Sequence, residues 1–490
     1  MFKNIQSACL SGTQSLAVEV EVSATTGLPQ ETIIGLPDTV IKESRARIKS
    51  AILLAGFEFP AMSYIINLAP TDILKRNISL ELAMCVAILQ VTNQICINEK
   101  YCFIGGISLD GRITPVQQLL PIIYYYPNYL NTTFVISTKN ESDITPLDGI
   151  NYITIDSINE LKTLENKQIQ EIVFSAPYKQ NTSITFDDVK GHALAKKACT
   201  YSIIGRHPLL FIGPPGIGKT MLIERIPSLL PPLNHEEALK NYCLSLLTNE
   251  QATYETKPPF RAPHHSISYA GMIGGKNPPE PGEISRANYG ILFLDEIGEY
   301  QRHILDTLRE PLETKEISLS RAGASMVFPA DFLLITAMNP CYCGHYFNQA
   351  SICQCLPSQI KKYWQKISQP FLDRISICYI LNQPDENAMT ISQADMKSMI
   401  DTGISKIKSR NPGQRPNNEL ELDEIYQISC ISNKTQLLLD QFFEKTNASM
   451  RGKRRTLQLS RTIADANNND QICCKSVSLA IQLSQHNQRP

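Results

Sequence analysis

Net charge is almost absent from this chain: 46 Lys and Arg are offset by 47 Asp and Glu among 490 residues, leaving −1. That excludes a global basic field as a basis for nucleic-acid binding and leaves only local patches open. Also missing is any apolar run near the roughly 18 residues that a membrane helix needs. Met1-Phe-Lys-Asn-Ile-Gln lacks a charged start followed by an apolar run, so no secretion signal is expected and a cytoplasmic setting is. No internal repeat is found. Cysteine is not scarce, with fourteen, but Cys9, Cys85, Cys199, Cys243 and Cys378 stand singly, and the expectation is reduced thiols. The length exceeds what one core can serve, and two to four domains are expected.

What is present is concentrated in Gly213-Pro214-Pro215-Gly216-Ile217-Gly218-Lys219-Thr220, a complete G-x-x-x-x-G-K-[ST] pattern. Leu209-Leu-Phe-Ile212 before it reads as a buried strand, and Met221 to Ile226 after it reads as the start of a helix. In that setting the glycines let backbone N–H groups turn toward an anion at the positive end of a helix. Lys219 would reach the β- and γ-phosphates of a nucleotide, and Thr220 would ligate magnesium. Ile291-Leu-Phe-Leu-Asp-Glu296 reads as a second buried strand ending in two carboxylates. Asp295 would hold magnesium through water, and Glu296 would orient or activate the attacking water. A third strand, Phe332 to Asn339, ends in an amide that can hold that water near the γ-phosphate. Phe371-Leu-Asp-Arg374 puts an arginine at a helix end, where it can face the γ-phosphate of a neighbouring subunit or pair with Asp373. Arg451, in Ser449-Met-Arg-Gly-Lys-Arg-Arg-Thr456, could touch the nucleotide from a helical lid.

Around this core the chain divides by pattern. Residues 1–165 alternate short β-like runs with helices. Leu16–Val22 alternates as a half-buried strand, Asp38 caps a helix through Val40, Ile41, Ser44, Ile48, Ala51, Ile52 and Ala55 that Gly56 stops, Tyr64–Leu68 is a strand and Leu80–Val91 a buried helix. Phe103–Pro115 reads as a hairpin turning at Asp110-Gly111. Residues 166–185 are polar and read as a linker, 186–380 as an α/β nucleotide-binding core, and 381–490 as a small helical domain.

Cys341-x-Cys343 and Cys353-x-Cys355 place four thiols within 15 residues, which suits tetrahedral zinc, with His345 as a spare ligand. Free buried thiols and redox-active pairs are the alternatives. His264-His265 also looks like a metal pair but has no acidic partner within eight residues.

The order of these motifs resembles the AAA+ ATPases, and in detail the magnesium-chelatase-like branch with its bacterial YifB/ComM family. Gly35-Leu-Pro-Asp38 with Lys42-Glu-Ser-Arg45, Phe260-Arg-Ala-Pro-His-His-Ser266, Pro281-Gly-Glu-Ile-Ser285, Asn339-Pro-Cys-Tyr-Cys-Gly344 and Arg461-Thr-Ile-Ala-Asp465 carry the resemblance nearly end to end. It implies Walker A at 213–220, Walker B at 291–296, Asn339 as sensor 1, Arg374 as arginine finger, Arg451 as sensor 2 and Gly191-His192 beside the adenine. It further implies ATP and Mg2+, possible structural zinc, a homo-oligomer that is usually a hexamer, and DNA as partner. The implied activity is a helicase driving branch migration in natural transformation or homologous recombination. Candidate DNA contacts are the insert Arg261–Lys276 and the cluster Arg451, Lys453, Arg454, Arg455; for the cluster a solvated helix face is an equal reading. His264 and His265 fall, by resemblance, in a subunit-interface insert. The first domain resembles the ribosomal-S5-like fold shared with the Lon protease domain. Ser79 stands near the place of the Lon serine, but Gln117-Gln-Leu-Leu120 offers no activating lysine, so proteolysis is not expected. The segment near Lys75 departs from the family's usual Lys-Glu-Gly-Ser. Two other readings are a motor for a chelatase partner and a sigma-54-type transcription activator, whose Gly-Ala-Phe-Thr-Gly-Ala loop is missing here.

Overall fold

The computed structural model describes residues 1–490 apart from 72, 74, 76, 77, 99, 175–183, 249–251, 276–278, 322–323, 348–351, 383–389, 447–448 and 485–490. The chain forms two compact units. One takes Met1–Tyr178 with Leu239–Glu255, and the other takes Lys179–Ala238 with Thr256–Pro490.

The first unit is built on an eight-stranded mixed sheet. Its order is Gln170–Glu171, Asn151–Ile155, Thr133–Ser137, Tyr101–Phe103, Phe2–Ser11, Gln14–Thr25, Ser63–Ala69 and Gln30–Ile34. Successive side chains point to opposite faces, so the strands Phe2–Ser11, Tyr101–Phe103 and Thr133–Ser137 each serve two cores. Ile5, Cys9, Phe103 and Val135 join one core with the helices Thr39–Leu54 and Glu81–Val91. Ala8, Cys102, Phe134 and Ile136 join the other, which the helix Leu119–Tyr124 and the residues Leu239 and Cys243 complete. Asp38 caps Thr39–Leu54 by accepting the Ile41 N–H at 2.9 Å, and Gly56 takes φ +79° beyond its end.

Three expectations are revised here. The hairpin is shorter than 103–115: only Gly106–Ile107 pairs with Ile113–Thr114, while Tyr101–Phe103 is a strand of the main sheet. Gln170–Glu171, inside the stretch read as linker, is an exposed edge strand, where polar side chains are tolerated. Lys179 to Ser183 of that linker lie outside the described residues. Residues 239–255, read as part of the nucleotide-binding core, pack in the first unit.

Ser79 is fully buried and its hydroxyl has no hydrogen-bond partner, while Lys75 Nζ donates to the Gly35 and Pro70 carbonyls. Among the described residues, no amine is thus hydrogen-bonded to that serine. The neighbouring Glu81, 2 % exposed, accepts from Ser44, from Arg47 Nε at 3.1 Å and from the Ile107 N–H at 2.8 Å. Arg76 and Asn77, in the departing segment, lie outside the described residues.

The second unit holds a five-stranded all-parallel sheet in the order Phe260–Arg261, Ile291–Leu294, Leu333–Met338, Leu209–Ile212, Ile377–Ile380. The three central strands are buried on every residue, as strands covered on both faces must be. The helices Gln393–Arg410 and Met450–Ala466 share that sheet's core through Met396, Ile400, Ile407, Ile463 and Ala466. Leu420, Ile425, Leu439, Phe443, Leu457 and Val477 form a smaller core among the last helices.

His207, just before the strand Leu209–Ile212, is fully buried. Its Nε2 lies 2.8 Å from Thr462 Oγ1, whose single hydrogen goes to the Gln458 carbonyl; Nε2 is therefore the protonated nitrogen, and Nδ1 is left without a partner. Burial pushes this imidazole down to about 3. The unfolded ring titrates near 6.5, so the stability this neutral ring contributes is complete above pH ~6.5 and declines as pH falls toward the folded value. Between pH 7 and 5 the cost is about 2 kcal/mol. Urea unfolding at both pH values should show His207→Gln losing about that much less than the parent chain, and equal losses would contradict this account.

Candidate functional site

The all-parallel sheet places three sequence-distant segments side by side at the carboxyl ends of adjacent strands, where open α/β sheets bind ligands. The Gly213–Thr220 loop leaves Leu209–Ile212, Asn339 follows Leu333–Met338 one strand over, and Asp295-Glu296 follow Ile291–Leu294 beyond that. Gly216 and Gly218 sit at φ +78° and +97°, which only glycine adopts freely, and Lys219 opens the helix Lys219–Arg225.

Lys219 is 8 % exposed. Its Nζ donates to the carbonyls of Gly213 at 2.7 Å and Pro214 at 2.9 Å and to Asn339 Oδ1 at 3.0 Å. Burial lowers its pKa, and the charges of Asp295 and Glu296 oppose that shift. Thr220 Oγ1 donates to Asp295 Oδ2 at 3.0 Å, so a hydroxyl and a carboxylate meet where a hard cation is held through oxygen ligands. Glu296 is exposed and sits at φ +51°, a strained conformation for a non-glycine residue and one that is common at working sites. Pro214 is buried and Pro215 exposed, while Ile217 is half-buried. His192 also has positive φ, at +53°. Burial, then the charge of Lys196, lowers its pKa against a hydrogen bond with the backbone of Ile217, so it borders the loop.

Arg374 and Arg451 lie elsewhere in this unit. Arg374 donates to Glu313 Oε1 at 2.7 Å, to the Pro370 carbonyl at 2.7 Å and to the Arg309 carbonyl at 3.2 Å. It lines a cleft of about 600 Å³ together with Arg451, Arg454 and Arg455, and no residue of the 213–220 loop lines that cleft. Arg451 is exposed at the start of the helix Met450–Ala466. Pattern reading did not single out Arg455 as a tether. Its Nη1 donates to the Ile375 carbonyl at 3.0 Å, next to Arg374, and its Nε to the Arg451 carbonyl at 3.4 Å. It thus ties the two arginines to one surface; its i+4 spacing from Arg451 was the available signal. Arg454 is bound to the Glu419 and Leu420 carbonyls and to Glu421, and Lys453 lies 5.4 Å over the Phe443 ring.

Of the insert proposed to touch DNA, Arg261 is committed to Glu283 through two 2.7 Å hydrogen bonds, and Lys276 lies outside the described residues. The ring centroids of His264 and His265 lie 4.0 Å apart with the planes tilted by 36°, and His264 Nδ1 pairs with Ser266 Oγ at 2.8 Å.

Among the described residues, the group able to hold a metal ion is Cys341, Cys343, Cys353 and Cys355, whose sulfurs all lie within 4.8 Å of one another. Neither His345 nor the His264-His265 pair belongs to it. The Sγ separations are 3.3 Å for 341–343, 3.5 Å for 343–353 and 3.7 Å for 341–353. Zn–S bonds of ~2.3 Å in a tetrahedron require sulfurs about 3.8 Å apart, so the four thiols fit.

Three family models match. The one described as magnesium chelatase, subunit ChlI covers residues 185–389, subunit ChlI of Mg-chelatase covers 20–140, and magnesium chelatase, subunit ChlI C-terminal covers 391–484. The uncharacterized protein YifB of Salmonella typhimurium is 34% identical over 480 residues, which is 96% of this chain and 94% of that protein. The competence protein ComM of Haemophilus influenzae is 33% identical over 483 residues, with the same shares. The magnesium-chelatase 38 kDa subunit of Cereibacter sphaeroides is 26% identical over 174 residues, 32% of this chain and 52% of that protein. Full-length likeness of this degree, on a parallel sheet with a helical C-terminal region, shows that the chain belongs to the YifB/ComM family of magnesium-chelatase-like AAA+ proteins.

Proposed function

We propose that this protein is a ring-forming, DNA-dependent ATPase, a helicase that promotes branch migration in natural transformation or homologous recombination. The observation that carries the ATPase part is the division of its machinery. Lys219, Thr220, Asp295 and Asn339 meet at one place, while Arg374 and Arg451 share a cleft that the phosphate loop does not line. Two copies of the chain complete one site.

In that site Lys219 exchanges its carbonyl partners for the β- and γ-phosphate oxygens of ATP, and the loop N–H groups hold the rest of the phosphate chain. Thr220 and Asp295 would hold Mg2+, which supplies charge neutralisation on the phosphates. Glu296 and Asn339 orient a water for attack on the γ-phosphorus, and the bond to the bridging oxygen of ADP breaks. Arg374 and Arg451 of the next copy stabilise the charge that develops on the γ-phosphate. The residues 213–220 and 295 thus bind nucleotide, and Glu296, Asn339, Arg374 and Arg451 act in hydrolysis. The four cysteines hold one structural zinc.

The DNA part rests on the likeness to a competence protein and on no reading module in this chain. The test is ATP hydrolysis with and without single-stranded DNA. Stimulation by DNA, lost in Lys219→Ala and in Arg374→Ala, is expected. Hydrolysis indifferent to DNA would turn the reading toward a motor for a partner protein, which the chelatase descriptions of the matching models favour.

A further inference from the structure

The four-cysteine loop meets the phosphate loop at two points and is anchored to the helix Pro357–Gln365 at a third. Cys341 lies two residues after Asn339, whose Oδ1 accepts from Lys219 Nζ at 3.0 Å. The carbonyl of Pro340, between them, accepts from Trp364 Nε1 at 2.9 Å. Gly344 is pressed on the phosphate loop itself: a Cβ there would lie 2.5 Å from Pro215 Cδ, and its φ of +79° also demands glycine. The described part of 339–356 has no helix or strand, and Tyr342, Ile352 and Leu356 are exposed at 53%, 91% and 62%. Apart from Cys341, 1% exposed, little of the loop enters a core, so the convergent thiols are its main internal cross-link.

We propose that zinc bound by Cys341, Cys343, Cys353 and Cys355 controls nucleotide affinity, by fixing Gly344 against Pro215 and Asn339 beside Lys219. The inference rests on the reading of residues 213–220 as a nucleotide site. With the metal bound, the loop buttresses the phosphate loop in the shape that accepts an anion. Without it, no ion ties the four sulfurs together, Gly344 withdraws, and Pro215 and the Lys219–Asn339 contact lose their support. Coupling between two sites is reciprocal in equilibrium binding, so nucleotide must tighten zinc by the same factor that zinc tightens nucleotide.

The experiment uses the full chain and a fluorescent, non-hydrolysable ATP analogue. Elemental analysis should give about one zinc per chain. Chelation should weaken analogue binding about tenfold, within the usual range of such coupling, and added zinc should restore it. A chelator-competition titration should show the analogue tightening zinc by an equal factor. Cys353→Ser should lose zinc and bind the analogue like the chelated protein. Gly344→Ala, with all four thiols intact, should keep zinc and still bind the analogue more weakly. Absence of zinc, or zinc whose removal leaves analogue binding unchanged in a chain with an unaltered circular dichroism spectrum, overturns the proposal. Failure of the zinc-loaded chain to bind the analogue at all would instead overturn the nucleotide reading.

Discussion

Mixing Lys219→Ala and Arg374→Ala chains should restore ATP hydrolysis that neither chain shows alone. In the proposed site Lys219→Ala removes the cation at the phosphates, and removal of an arginine finger costs on the order of 10³-fold or more in rate. On the proposed two-copy reading each variant damages a different half of the site, since Arg374 is held by Glu313, Pro370 and Arg309 in a cleft that residues 213–220 do not line. In a randomly mixed ring about one interface in four joins an intact phosphate loop to an intact arginine, so recovery to roughly a quarter of the parent rate is expected when interfaces act independently. Arg451→Ala sharpens the test. If Arg451 shares Arg374's surface, its variant is also rescued by Lys219→Ala chains; an arginine serving its own chain's nucleotide would leave that mixture inactive. Co-assembly is checked by native mass measurement. No recovery in rings shown to be mixed would sink the two-copy site, as would unimpaired hydrolysis by Arg374→Ala alone.

The parts of this arrangement that were legible in sequence are those fixed by local chemistry. A glycine-rich turn ending in Lys219-Thr220, and apolar runs ending in Asp295 and Asn339, each carry their meaning within a dozen residues. The pairing of Thr220 with Asp295, 75 positions apart, followed because buried apolar strands of this kind share a sheet. Long-range partners were not legible. The apolar face of His235–Leu246 marks a helix, but nothing local says that Leu239 and Cys243 belong with Leu119 and Phe134. Gln170–Glu171 has no strand pattern, being a two-residue edge whose pairing comes from its neighbour Asn151–Ile155. The placement of Arg451 beside Arg374 depends on how Met450–Ala466 packs, and the shared cleft and the tether from Arg455 to Ile375 make it visible. The cysteine pairs lie between these cases. Spacing suggested a tetrahedron, and convergence of the sulfurs to within 4.8 Å required the folded loop.

Packing of that helix sets up the largest effect expected on stability. Asp465 is fully buried and serves three cationic or amide groups at once. Arg410 reaches its two oxygens at 2.5 and 2.9 Å, Arg461 reaches Oδ1 at 3.1 Å through Nε, and Asn417 Nδ2 reaches Oδ2 at 2.9 Å. Arg461 is itself fully buried, with its remaining donors on the Asn469 and Asp470 carbonyls; burial lowers its pKa, and Asp465 opposes that shift. Such a cluster adds little over an apolar core while intact, but losing one charge strands the other in a dry interior. Asp465→Ala leaves Arg461 buried without a counter-ion, and a loss of about 3–5 kcal/mol is expected. For a unit of this size that lowers the midpoint of thermal unfolding by roughly 6–20 °C. The control is Asp470→Ala, which breaks an ion pair of the same chemistry with Lys406 but at a carboxylate 87% exposed, and should change stability by less than about 0.5 kcal/mol. Both are read by calorimetry under one buffer condition. Equal midpoints for the two variants would mean that solvent reaches Arg461, and that the join between the C-terminal helices and the sheet is held by the apolar contacts of Ile463 and Ala466 instead.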